Sequence, residues 1–152
     1  MSREVKVRSV EDTWGLAREF AARLGPGDVV CLEGDLGAGK TTFTQGLAAA
    51  LGARGRVASP TFCIVREHPI EPGGDGVGKA KIPVLVHMDL YRLNGEEDVE
   101  AIGWDDYLSR GAVIVVEWPE RAGSLIPENA YRISFRHCAD EGDETRIIEF
   151  RE

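Results

Sequence analysis

Apolar and polar positions alternate at the start of the chain. Val5 and Val7 are separated by Lys6 and flanked by Glu4 and Arg8, a period of two that predicts a short, half-buried strand. The period then changes. Ser9 offers an N-cap, Glu11 and Asp12 suit the first helical turn, and Trp14, Ala17, Phe20, Ala21 and Leu24 recur at helical spacing until Gly25-Pro26-Gly27 stops the pattern. Residues 29–32 are continuously apolar, as in a strand buried on both faces. Residues 40–51 predict a helix with Phe43, Leu47, Ala50 and Leu51 on one side and Gly52 closing it.

Ser59-Pro60-Thr61-Phe62 leads into a predicted strand over 63–67, and glycine-rich residues 69–80 read as a loop between strands. A strand over 82–89 ends on Asp89. Short helical pieces at 96–101 and 105–109 surround Gly103-Trp104. The most apolar strand, 113–116, runs into Glu117. Period-two patterns at 131–137 and 145–150 predict an antiparallel closing pair. Strands and helices alternate in the first half, which favours an α/β fold with a mostly parallel sheet flanked by helices. No repeat and no long linker interrupts the pattern, so the expectation is a single domain over residues 1–152.

Net charge is −8, which argues against a broad electrostatic grip on nucleic acid. Cys31, Cys63 and Cys138 are odd in number and widely spaced, with no CxxC, and are read as free thiols of a reducing compartment. No run approaches the about 20 apolar residues of a membrane span, and residues 1–10 lack a signal-peptide core. These features point to the cytoplasm, with no membrane partner.

Candidate chemistry centres on Gly34-Asp35-Leu36-Gly37-Ala38-Gly39-Lys40-Thr41, which satisfies G-x-x-x-x-G-K-[ST] in full. Glycines let successive backbone N–H groups turn inward around an anion, and the following helix aims its positive end at the same place. The amides of residues 35–39 form the cradle. Lys40 reaches the β- and γ-phosphates, the Thr41 hydroxyl ligates Mg²⁺, and Thr42 adds a hydroxyl near the α-phosphate. A buried strand before the motif and a helix after it favour a nucleoside triphosphate over a glycine turn with a solvated lysine.

Such a cradle needs acids for the metal and the attacking water. Asp89 and Glu117 each end an apolar strand, where α/β sheets gather their ligands. Around Asp89, a structural cluster with His87 and Arg92 is the alternative. Thr61 is a candidate nucleotide-sensing hydroxyl, and a plain Pro turn explains it equally well. Arg92 and Arg121 are candidates for phosphate or partner contacts, although surface arginines are common. The histidines show no metal-ligand spacing, and His68 and His137 are expected at the surface or a strand edge. Trp118 is expected in the core or at a rim. No guanine-reading N-K-x-D and no D-x-x-G after Asp89 is present, so ATP is preferred over GTP. A P-loop small-molecule kinase and a nucleotide-gated binding module remain alternatives to an ATPase.

G-D-L-G-A-G-K-T-T, S-P-T-F, H-M-D-L-Y-R-L, E-D-V-E-A-I-G-W-D-D-Y-L and V-E-W-P-E-R occur in that order from residue 34 to 121. Together they resemble the TsaE (YjeE) family of bacterial P-loop ATPases, over essentially the whole chain. The resemblance implies a P-loop NTPase-like fold and a cytoplasmic role in making threonylcarbamoyladenosine (t6A), the modified base beside the anticodon of certain tRNAs. It implies ATP and Mg²⁺ as cofactors and TsaD and TsaB as partners. That pair carries the transferase and meets the tRNA, while ATP hydrolysis supports repeated turnover. It further implies Thr41 and Glu117 at Mg²⁺, Asp89 as the catalytic acid position, Thr61 in a switch-like loop, and Glu11 to Thr13 near the nucleotide. One departure is the loop from His68 to Lys81, which is longer and richer in glycine than the family pattern and has His where an aromatic is expected.

Overall fold

The computed structural model describes residues 2–34, 39–53, 64–70, 82–138 and 145–151. Seven strands form one sheet: β1 (Ser2–Val7), β2 (Val29–Gly34), β3 (Val65–Pro69), β4 (Val84–Asp89), β5 (Val113–Glu117), β6 (Tyr131–His137) and β7 (Arg146–Arg151). Their order is β1-β7-β6-β2-β5-β4-β3. The central strands β6, β2, β5 and β4 run parallel, while β3 pairs antiparallel to β4 and β7 antiparallel to both β6 and β1. The sheet is therefore mostly parallel, with the antiparallel closing pair at β6 and β7.

Burial explains the central placement of β2 and β5. Every residue of β5 is buried, as are Val29 to Leu32 of β2. Such strands have no polar face to offer water and need cover on both sides. On one face, α1 (Val10–Ala21) and α2 (Lys40–Leu51) pack over Val30, Leu32, Leu85, Val113, Val115, Ile133 and Phe135. On the other, α3 (Glu96–Ala101) and α4 (Trp104–Ser109) supply Val99, Trp104 and Tyr107, which cover Cys31, Val86, Met88, Ile114 and Val116. Phe43 of α2 stacks within reach of Phe20, Phe135 and Phe150, so the first layer is held by an aromatic cluster.

The α1 cap forms as expected: the Ser9 hydroxyl accepts from Asp12 N–H, and the Asp12 carboxylate accepts from Arg8 N–H. The buried stripe of α1 is shifted, however. Thr13 and Leu16 join Ala17, Phe20 and Ala21 in the core, and Trp14 stays 44% exposed. Gly46 accounts for the shift, because the two helices approach so closely there that a Cβ would lie 3.0 Å from Trp14 Cα and from Ala17 Cβ. Strand β3 begins two residues later than its pattern suggests, at Val65, with residue 63 outside the described part; β3 is the sheet edge, as expected for His68, but the His68 side chain is buried. A 3-10 turn over Pro119–Leu125 was not foreseen. Cys31 is a buried free thiol, while Cys63 and the loop 71–81 lie outside the described residues. Among the described residues, no helix is long and apolar enough to cross a membrane.

Candidate functional site

Parallel strands bring their carboxyl ends to one edge of the sheet: β2 ends at Gly34, β4 at Asp89 and β5 at Glu117. The register pairs Glu117 with Leu32 on one side and with Asp89 on the other, so the two acids stand on adjacent strands. Gly34 must be glycine. Its φ is 142°, and a Cβ there would collide with the carbonyl of Phe135 on β6. The chain returns at Gly39, the N-cap of α2, with φ 106° and no side-chain cap. Among the described residues no side chain caps the first N–H groups of α2, and the helix's positive end is a suitable seat for an anion.

Lys40, the first residue of α2, turns back over this seat. Its Nζ donates to Gly34 O at 2.8 Å and lies 3.6 Å from Glu117 Oε1. Glu117 is only 6% exposed. Its second oxygen, Oε2, accepts a 2.7 Å hydrogen bond from Nε2 of His87, a β4 residue with no exposure. Burial alone would push the Glu117 carboxyl upward. The hydrogen bond and electrostatic pull of His87, together with the Lys40 ammonium, outweigh burial and hold the group below its ordinary value of 4.5. Glu117 is therefore a carboxylate at neutral pH, a hard oxygen donor beside Lys40 at the start of α2.

Asp89 is half-buried. Its Oδ1 accepts from Tyr91 N–H at 3.1 Å, and its own N–H donates to Ile64 O at 2.9 Å. His87, a member of the alternative cluster around Asp89, instead bonds Glu117. Thr41 and Thr42 sit half-buried in the first turn of α2. Thr13 is buried, its hydroxyl donating to Ser9 O at 3.3 Å, and Glu11 is exposed. Asp35, Leu36, Gly37, Ala38 and Thr61 lie outside the described residues.

Trp118 is a rim residue, 41% exposed, with the left-handed backbone φ 59°, ψ 52° and its ring 4.8 Å from that of Tyr91. Two neighbours of the site were not singled out from sequence as part of it. One is His87 as partner of Glu117. The other is Arg146 of β7, whose Cγ lies 4.0 Å from where a Gly39 Cβ would sit. The signal for both is strand order, which brings β4 beside β5 and β7 within reach of α2.

No group of three or more His, Cys, Asp or Glu able to hold a metal occurs among the described residues. The buried carboxylate of Glu117 and the hydroxyl of Thr41 in the first turn of α2 are donor types that fit Mg²⁺, which takes few protein ligands and completes its shell with phosphate oxygens and water.

A buried strand running through glycine into a helix that starts at Gly39-Lys40, with acids at neighbouring strand tips, defines a P-loop type of α/β protein. The chain belongs to the TsaE family: residues 7–148 match the family model described as "Threonylcarbamoyl adenosine biosynthesis protein TsaE". It is 41% identical over 150 residues to the tRNA threonylcarbamoyladenosine biosynthesis protein TsaE of Bacillus subtilis, covering 97% of this chain and 85% of that one. Its likeness to the protein of the same name from Streptomyces coelicolor is 47% over 135 residues, 88% of this chain and 85% of the relative. Among solved structures, the crystal structure of Bacillus subtilis YdiB matches with a TM-score of 0.74 at 33% identity, over 99% of this chain and 84% of the other.

Proposed function

We propose that this chain is a Mg²⁺-dependent ATPase required for threonylcarbamoyladenosine modification of tRNA, acting in a complex with the TsaD and TsaB proteins. The observation that carries the nucleotide half is the meeting of Lys40 and buried Glu117 beside the uncapped start of α2. The tRNA half rests on membership of the TsaE family and on relatives named for that pathway. A net charge of −8 suits a protein that reaches tRNA through partners.

In this reading the amides of Asp35, Leu36, Gly37, Ala38 and Gly39 wrap the phosphates. Lys40 exchanges the Gly34 carbonyl for phosphate oxygens, and Thr42 reaches the α-phosphate. Thr41 and Glu117 hold Mg²⁺, which when bound neutralises charge on the phosphate oxygens. Asp89 accepts a hydrogen bond from the attacking water and orients it. Thr61 senses the terminal phosphate, and the Glu11 to Thr13 turn approaches the nucleoside.

The test is phosphate release from MgATP by the purified chain, alone and with the TsaB–TsaD pair, alongside t6A formation in tRNA. Slow release alone, a rise with the pair, and a loss of about 100-fold or more in Lys40→Ala are expected, with melting curves showing that the variant is folded. Turnover that ignores the pair but depends on an added small metabolite would make the protein a kinase. Full t6A formation with Lys40→Ala would remove hydrolysis from the mechanism.

A further inference from the structure

Glu117 divides its two oxygens between two partners. Oε1 faces Lys40, and Oε2 is held by His87 at 2.7 Å. These partners differ in kind. Lys40 sits on a flexible four-carbon stem and is the group called to the phosphates when a nucleotide binds. His87 is fixed: it lies in the middle of β4 with no exposure, and its strand is zipped to β5 from Leu85↔Val113 to Asp89↔Glu117. Once Lys40 turns to phosphate, the His87 bond is the remaining described side-chain contact that sets the direction of the Glu117 carboxylate.

The other imidazole nitrogen makes the same point. A carboxylate can only accept, so Nε2 carries the proton in this bond and donates it. Nδ1 is buried and has no hydrogen-bond partner among the described residues. A histidine kept in an apolar strand with one nitrogen unsatisfied carries a desolvation penalty that a leucine or valine there would not. The Nε2–H donation to Glu117 is what that penalty maintains.

We propose that His87 is the positioning residue of the metal site: by donating from Nε2 to Oε2 it holds the Glu117 carboxylate with Oε1 turned toward Lys40 and the start of α2, where Glu117 would take Mg²⁺. The proposal rests on the nucleotide reading above and assigns His87 no contact with the nucleotide or metal. It acts through Glu117 alone. Hydrogen-bond partners that orient a metal-binding group typically change metal affinity 10- to 100-fold when removed.

The test measures the binding of mant-AMPPNP, a fluorescent non-hydrolysable ATP analogue, across a Mg²⁺ titration. The variants are His87→Leu, His87→Asn and His87→Gln, each with its melting temperature. Gln carries an N–H at about the reach of Nε2, whereas Asn carries one at about the reach of Nδ1. The Mg²⁺ concentration for half-saturation is expected to rise about 10- to 100-fold in His87→Leu and His87→Asn. It should return to near the wild-type value in His87→Gln, with metal-free affinity for the analogue unchanged in all three. If His87→Leu fails to fold, the contrast between Asn and Gln decides. An unchanged Mg²⁺ requirement in the Asn variant, or equal damage in Asn and Gln, overturns the positioning role while leaving the nucleotide reading intact. A wild-type chain that binds no analogue at any Mg²⁺ concentration overturns the nucleotide reading itself. Binding that is indifferent to Mg²⁺ removes the metal from Glu117.

Discussion

His68 shows what a single substitution does to the pH response of the chain. The side chain is buried on β3, and its Nε2 has no hydrogen-bond partner among the described residues. Burial, aided by the electrostatics of His87 and Arg66, lowers its pKa from the ordinary 6.5. The sign follows directly. Above 6.5 the group is neutral in both folded and unfolded chains, and its contribution is fully present. Below 6.5 the unfolded chain takes up a proton that the fold resists, so stability falls until the folded pKa is passed. The melting temperature of the wild type is therefore expected to drop more between about pH 7 and about pH 5 than that of His68→Phe. Parallel curves for the two proteins would contradict the assignment. At this scale the position of Glu117 at the tip of β5 was legible, because it ends a run of four apolar strand residues. The sequence was silent on the partner of that acid. His87 and Asp89 share a strand face by periodicity, but which of them meets Glu117 depends on the neighbouring strand and its register.

Between elements, the close approach of α1 and α2 is the feature most open to test. Ala at position 46 would gain about 1 kcal/mol of helix propensity over glycine. Its Cβ would also press at 3.0 Å on Ala17 Cβ and on the Trp14 backbone, neither of which can rotate away. Overpacking of this kind costs about 1–3 kcal/mol, so it wins. Gly46→Ala is expected to lower the urea midpoint by the equivalent of about 1 kcal/mol, with the slope unchanged. A gain in stability would mean that the helices are not in close contact. This contact also explains the one residue of the α1 stripe that stays exposed, Trp14. Trp14 has the right spacing for the core stripe, yet the stripe centres on Thr13, Leu16, Ala17 and Phe20 because glycine on α2 admits the α1 backbone itself. The Ser9 cap and the span of α2 were legible because their signals are local: a hydroxyl before an apolar helix, and glycine at each end.

At the scale of the whole molecule, the sheet order converts separated motifs into one site. Gly34, Asp89 and Glu117 are far apart in sequence and reach the same edge because β2, β5 and β4 are adjacent and parallel. Alternation of strands and helices announced that class of fold. It did not announce that β6 enters parallel beside β2 and carries β7 toward Gly39, so Arg146 was missed. The central claim is that the loop from Gly34 to Lys40, with Glu117 at its side, holds the phosphates of MgATP. The most direct test is calorimetric titration of MgATP into the wild-type chain and into Lys40→Ala. Binding at one site per chain, weakened at least about tenfold by the loss of the lysine's charged hydrogen bonds, is the predicted result. Equal affinity in the two proteins, or no binding to either, would contradict it.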